Sequence, residues 1–98
     1  MSDTATIEDT STSTQKLPPY NIVVYNDDFH TFEFVTIVLS EVFKHTIERA
    51  YQLANEIHDD GRAIVWSGGK ELGELKLEQL LTFHEGKHGP LSASLEPG

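Results

Sequence analysis

Residues 20–43, YNIVVYNDDFHTFEFVTIVLSEVF, contain a change of period. Ile22-Val23-Val24-Tyr25 is a short apolar run, and Tyr20 to Tyr25 reads as a strand. From Phe34 onward apolar residues recur every fourth position, as Phe34, Val38, Val42 in one row and Val35, Leu39, Phe43 in the next. Two adjacent rows at that spacing are the buried face of a helix, which ends near Lys44. Between strand and helix stand Asn26, Asp27, Asp28 and His30. Thr31 can cap the helix alone, with Glu33 in the first turn where the helix dipole favours an anion. The polar run therefore exceeds what starting a helix requires.

The downstream pattern is as regular. Thr46 caps a second helix that carries Ile47, Ala50, Tyr51, Ala54 and Ile57 on one side. Asp59-Asp60-Gly61 ends it, because glycine adopts the left-handed conformation at low cost. Arg62 to Ser67 is a strand whose successive apolar residues (AIVW) place it at the centre of a sheet. Gly68-Gly69 turns the chain into a third helix over 71–84, with Leu72, Leu75, Leu77, Leu80 and Leu81; Gly73 weakens its start. After a turn at Gly86 to Pro90, Leu91, Ala93 and Leu95 alternate with polar residues in a half-buried strand. The order is β-α-α-β-α-β, an α+β domain with a three-stranded antiparallel sheet packed against helices. Residues 1–17 (MSDTATIEDTSTSTQKL) have no apolar period and read as a disordered extension, with Pro18-Pro19 opening a core domain of residues 18–98.

Composition excludes several functions. With 16 acidic and 7 basic residues the chain has a net charge of −9, which disfavours a nucleic-acid partner and favours cationic ligands. There is no cysteine, hence no disulfide and no thiolate metal site. No apolar stretch approaches a bilayer span, and the N-terminus lacks an apolar signal core. The five histidines show no HExxH spacing, and no nucleophile elbow is present, so neither a metal centre nor a catalytic apparatus is expected. His84 and His88 are separated by Gly86 and read as surface residues.

The Asn26-Asp27-Asp28 run has three readings. Turn chemistry is one. A calcium loop fails, because the acidic 1, 3, 5 spacing and the closing Glu are absent. A cation-binding rim is the third, since carboxylates and an amide at a strand end accept hydrogen bonds from an ammonium group. His58 lies four residues beyond Ala54 and seven beyond Tyr51, on the apolar stripe of the second helix. It is either a structural histidine or, when neutral, a further acceptor. Lys70, Glu71, Glu74 and Lys76 open the third helix as a solvated face or a docking patch.

Taken together, NDD, an aromatic, EFV opening a helix, ERA and QL in the second helix, His at its end, and PL opening the last strand resemble the ClpS family, adaptors of the bacterial N-end rule. The resemblance covers Pro19 to Leu95. It implies a non-enzymatic, cytoplasmic, monomeric adaptor without cofactor. Such an adaptor binds proteins or peptides that begin with Leu, Phe, Tyr or Trp. It delivers them to the N-terminal domain of a ClpA- or ClpC-type AAA+ unfoldase for degradation by ClpP. On this resemblance Asn26, Asp27 and His58 hold the free α-amino group. Phe32, Val35, Ala54, Ile57 and Leu91 line the side-chain pocket, Asp28 and His30 form its rim, and Glu71 and Lys76 meet the unfoldase. The segment before Pro18 matches the family's delivery extension. The chain departs from the family at His30-Thr31-Phe32, where Thr-Pro-Met is typical, and at Ala54, where a gatekeeping Met is typical; Ile- and Val-headed substrates then come within reach. The alternative is the ribosomal-stalk type of α+β domain, which recruits a partner through a helix face and leaves Asp27 and His58 without a role.

Overall fold

The computed structural model describes residues 18–98, so the N-terminal extension lies outside the described residues. Six elements follow: β1 (Tyr20–Tyr25), α1 (Phe32–Phe43), α2 (Ile47–Asp60), β2 (Arg62–Gly68), α3 (Lys70–Leu80) and β3 (Ser92–Pro97). The strands form one antiparallel sheet in the order β2-β1-β3. This is the β-α-α-β-α-β domain expected from the sequence.

The centre of the sheet is β1, where Ile22, Val23 and Val24 are all buried. β2 is an edge strand, which corrects the central position inferred from its apolar run. A bulge accounts for the apolar run on this edge. Ile22 pairs with Trp66 and Val23 with Ile64, so Val65 is the extra residue between them. An extra residue interrupts the alternation of sides. Ala63 and Val65 are buried and Trp66 packs on the same core, while Ile64 is 51% exposed. The Val65 carbonyl accepts the His45 Nε2–H at 2.8 Å.

α1 follows its sequence pattern. Val35, Val38, Leu39, Val42 and Phe43 are buried, and Phe34 packs against them half-buried. Thr31 Oγ1 accepts the Phe34 N–H at 3.0 Å. At the other end Lys44 is left-handed (φ 61°), and the Lys76 ammonium donates to the Val42 carbonyl at 3.1 Å. In α2 the buried row is Ala50, Leu53, Ala54 and Ile57, an i, i+3, i+4, i+7 pattern. Ile47 and Tyr51, assigned to that side from the sequence, are more than half exposed, and Leu53 takes the inward position.

α3 stops at Leu80 and not at 84. Beyond it the chain tightens, with Thr82 N–H donating to Gln79 and Phe83 N–H to Leu80. Of its leucines, Leu80 is buried and Leu77 partly so, whereas Leu72 and Leu75 are half exposed. Gly73 is required despite its poor helix propensity. A Cβ there would stand 2.8 Å from Leu95 Cδ1 and 3.0 Å from Trp66 Cζ3. Its absence lets α3 lie close against the sheet.

Candidate functional site

The ends of β1 and α2 are held together by backbone. Gly61, at φ +89°, turns the chain out of α2 and donates its N–H to the Ile57 carbonyl at 3.0 Å. Its own carbonyl accepts the Asn26 N–H at 2.9 Å. Asn26 and His58 are thereby brought to one edge of a cleft between α1 and α2. Asn26, His30, Phe32, Val35, Ala54, Ile57 and His58 line it, around a space of about 40 Å³. Val35, Ala54 and Ile57 belong to the buried core and make the apolar lining.

The polar edge is suited to a cation. The His58 side chain is 63% exposed, with Nδ1 at 3.3 Å from Asp59 Oδ1. A carboxylate only accepts, so Nδ1 donates in that contact, which leaves Nε2 as the nitrogen that faces a ligand, an acceptor in the neutral ring. Asn26 adds an amide oxygen. An amide oxygen and an imidazole nitrogen at the edge of an apolar hollow, on a chain of net charge −9, fit a group that is cationic at one end and apolar at the other.

Phe32, the first residue of α1, reaches across to α2. Its ring centroid lies 5.3 Å from that of His58 and 6.1 Å from that of Tyr51, tilted 38° to each. The ring stands between the cleft and a second apolar groove of about 200 Å³, lined by Phe32, Glu33, Thr36, Ile37, Ile47 and Tyr51. Ala54, 3% exposed, leaves the opposite wall of the cleft open.

Three of the residues assigned to the site from the sequence stand off the cleft lining. Leu91 is buried in the core, 3% exposed. Asp28 is exposed in the loop. Asp27 is turned to its own loop: Oδ1 accepts the Phe29 and His30 N–H groups at 2.9 and 3.0 Å, and Oδ2 faces His30 Nδ1 at 2.8 Å. Burial alone would raise the Asp27 pKa, but these bonds and the His30 charge outweigh it and hold the carboxyl below its ordinary value. Asp27 thus shapes the loop that presents Asn26. His30, assigned to the rim, is an enclosed side chain bridging Asp27 and the Gly89 carbonyl.

Glu85 is a further contributor. Its carboxylate takes the Thr31 N–H and the Thr31 hydroxyl, both at 2.9 Å, and so fixes the start of α1 beneath Phe32. The two residues are 54 apart in sequence, and no local pattern marks the pair. On the α3 side, Glu71, Glu74, Leu75, Leu77, Glu78 and Leu81 line an open acidic and apolar groove of about 500 Å³. Lys76 is not on that lining, because its ammonium is bound to α1. Among the described residues no group of three or more His, Asp or Glu is placed to hold a metal ion, and no helix is long and apolar enough to cross a membrane.

Known proteins resemble this chain in sequence and fold. Residues 15–94 match the family model of the ATP-dependent Clp protease adaptor protein ClpS. The ClpS adapter of Thermosynechococcus vestitus is 43% identical over 81 residues, covering 82% of this chain and 81% of its own. That of Pectobacterium carotovorum is 39% identical over 85 residues, covering 84% and 80%. The solved structure of Agrobacterium tumefaciens ClpS2 bound to L-phenylalaninamide superposes with a TM-score of 0.76 at 27% identity, over 83% of this chain and 98% of that one. The match over both fold and sequence sets aside the ribosomal-stalk alternative: the chain belongs to the ClpS family of Clp protease adaptors.

Proposed function

We propose that this ClpS chain captures proteins by a large hydrophobic N-terminal residue and its free α-amino group, and hands them to a ClpA- or ClpC-type unfoldase for ClpP. The observation that carries this reading is the cleft itself, with the acceptors Asn26 and His58 at the edge of an apolar hollow lined by Val35, Ala54 and Ile57. L-Phenylalaninamide, the ligand of the A. tumefaciens neighbour, has that chemistry, a free amine beside an aromatic side chain. In this chain Asn26 and His58 Nε2 accept from the ammonium. Asp27 acts through the loop it fixes, and Phe32 forms the movable wall.

The energetics are those of a releasable complex. Burying an aromatic side chain of roughly 150–200 Å² contributes roughly 4–5 kcal/mol. Each charge-assisted hydrogen bond adds about 1.5–3 kcal/mol. Lost rigid-body freedom and peptide ordering oppose these terms, leaving an affinity on the order of micromolar. Delivery uses the α3 face, where Glu71 and the exposed leucines meet the N-terminal domain of the unfoldase and Lys76 secures α3 to α1. The protein works as a cytoplasmic monomer and catalyses nothing itself.

The test compares Phe- and Leu-headed peptides with free and acetylated N-termini. Acetylation removes the charge and a donor from two acceptors that a bound peptide would cover, and should weaken binding by several kcal/mol. Equal affinity for the two forms would refute the amine site.

A further inference from the structure

The His30 side chain is 3% exposed, and each of its ring nitrogens faces an oxygen. Nδ1 lies 2.8 Å from Asp27 Oδ2, and Nε2 lies 2.8 Å from the Gly89 carbonyl. A carbonyl oxygen only accepts, so Nε2 carries a proton. An ionised carboxylate only accepts, so Nδ1 carries one as well. Both bonds exist together only in the imidazolium. A neutral ring presses one bare nitrogen lone pair against an oxygen in a site with almost no water. The ring also stacks on Phe34, with centroids 5.2 Å apart and planes at 22°.

The two anchors belong to different parts of the chain. Asp27 sits in the loop that leaves β1 and presents Asn26. Gly89 sits in the loop between α3 and β3, at φ +75°. That same loop supplies Glu85, which holds Thr31 and the start of α1. His30 itself lines the cleft beside Asn26.

We propose that His30 is a positioning residue for the amine site, an imidazolium strut that ties the loop carrying Asn26 and Asp27 to the loop ahead of β3. The strut stands on its own geometry; its service to an amine rests on the adaptor reading above. Two consequences follow from the chemistry. The Asp27 carboxylate neutralises His30, so the cleft gains a rigid wall without a net positive charge that would repel an ammonium. The strut also has a pH limit, on its alkaline side.

The ionisable groups around the ring agree. Asp27 faces it from its own loop, Glu85 and His88 from the loop after α3, and His58 shares the cleft lining; α1 presents the uncharged Phe34. Burial by itself lowers the His30 pKa. The Gly89 carbonyl, the Asp27 bond and the Asp27 and Glu85 charges outweigh it, and the net direction is upward. A raised histidine pKa places its stabilisation below the ordinary histidine range and removes it as pH rises through the folded value.

The experiment has two arms, both on the full chain. The first is a ring-nitrogen NMR titration of His30 without ligand. Both nitrogens should be protonated at about pH 6, and the ring should titrate above the free-histidine value of about 6.5. A neutral ring at that pH, or titration at or below the free value, overturns the strut. The second arm measures L-phenylalaninamide binding to wild type and to His30→Gln across pH. The ratio of the two affinities cancels the titration of the ligand amine. It should be about tenfold near pH 6, the order of one charge-assisted hydrogen bond, and shrink toward unity as His30 deprotonates. A ratio that is flat with pH overturns the positioning role alone. No binding by wild type at any pH overturns the adaptor reading and the positioning role with it. If His30→Gln fails to fold, the ligand's effect on the wild-type His30 titration replaces the ratio: linkage requires bound ligand to raise that pKa further, and an unmoved pKa overturns the role.

Discussion

Replacing Ala54 by Met should close the cleft to short branched side chains. Ala54 is 3% exposed and forms one wall of a space of about 40 Å³. At roughly 10–15 Å³ for each water-sized group, that space admits about three such groups. The Val side chain has three heavy atoms and fits as the cleft stands. Leu and Ile have four and need a small adjustment, whereas Phe, with seven, needs the Phe32 ring to swing away from His58 and Tyr51. Ala54→Met places a γ-carbon, a sulfur and an ε-carbon in the same space. Losing the burial of three such groups costs about 2.4 kcal/mol at about 0.8 kcal/mol each, roughly a fiftyfold drop in affinity. Calorimetric titration of Val-, Ile-, Leu- and Phe-headed peptides against both proteins measures it. Wild type should bind Ile- and Val-headed peptides within about 1–2 kcal/mol of Leu-headed ones, and Ala54→Met should lose the first two most. If wild type rejects Ile and Val as strongly as the variant does, the reasoning is refuted and Phe32 sets the gate; Phe32→Ala would then admit them.

Gly73→Ala opposes a gain in helix propensity of about 1 kcal/mol to overpacking against Leu95 and Trp66, which costs about 1–3 kcal/mol, so a net loss on chemical denaturation is expected. Because the Asp27 carboxyl is held below its ordinary value, its stabilisation is present above about pH 4 and lost as pH falls through the folded value. Thermal melts of Asp27→Asn should accordingly show a smaller acid-side decline than wild type. Reversing the charge of Glu71, on the α3 groove, should impair delivery of a Phe-headed substrate in a reconstituted unfoldase–protease assay while peptide affinity is unchanged; normal delivery would move the docking surface elsewhere. Deleting residues 2–16 should spare peptide binding and impair degradation, and a non-binding deletion variant would count against that division of the chain.

How far the sequence alone reached depends on the range of each interaction. Helix rows, caps and the Gly61 turn depend on neighbours within four residues, so α1, α2 and their termini were legible directly. Asn26, Phe32, Val35, Ala54, Ile57 and His58 were identified as site residues by resemblance to the family, and the fold brings all six to one cleft. What sequence could not supply was set by contacts between distant segments. The bulge at Val65, which puts an apolar run on an edge strand, exists only in the register of β2 against β1. The inward place of Leu53, where Ile47 and Tyr51 were expected, is settled by what α2 packs against. The grip of Glu85 on Thr31, the bond from His30 to Gly89, and the turn of Lys76 toward Val42 join positions 34 to 59 residues apart. Polar side chains such as these carry no periodic signal, because a single long-range partner decides each one. The sequence by itself determined the elements, their order and the chemistry available at the cleft. Only the tertiary structure decided that Asp27 is committed to its own loop, that His30 is enclosed, and that the Phe32 ring stands between the cleft and the groove beside it.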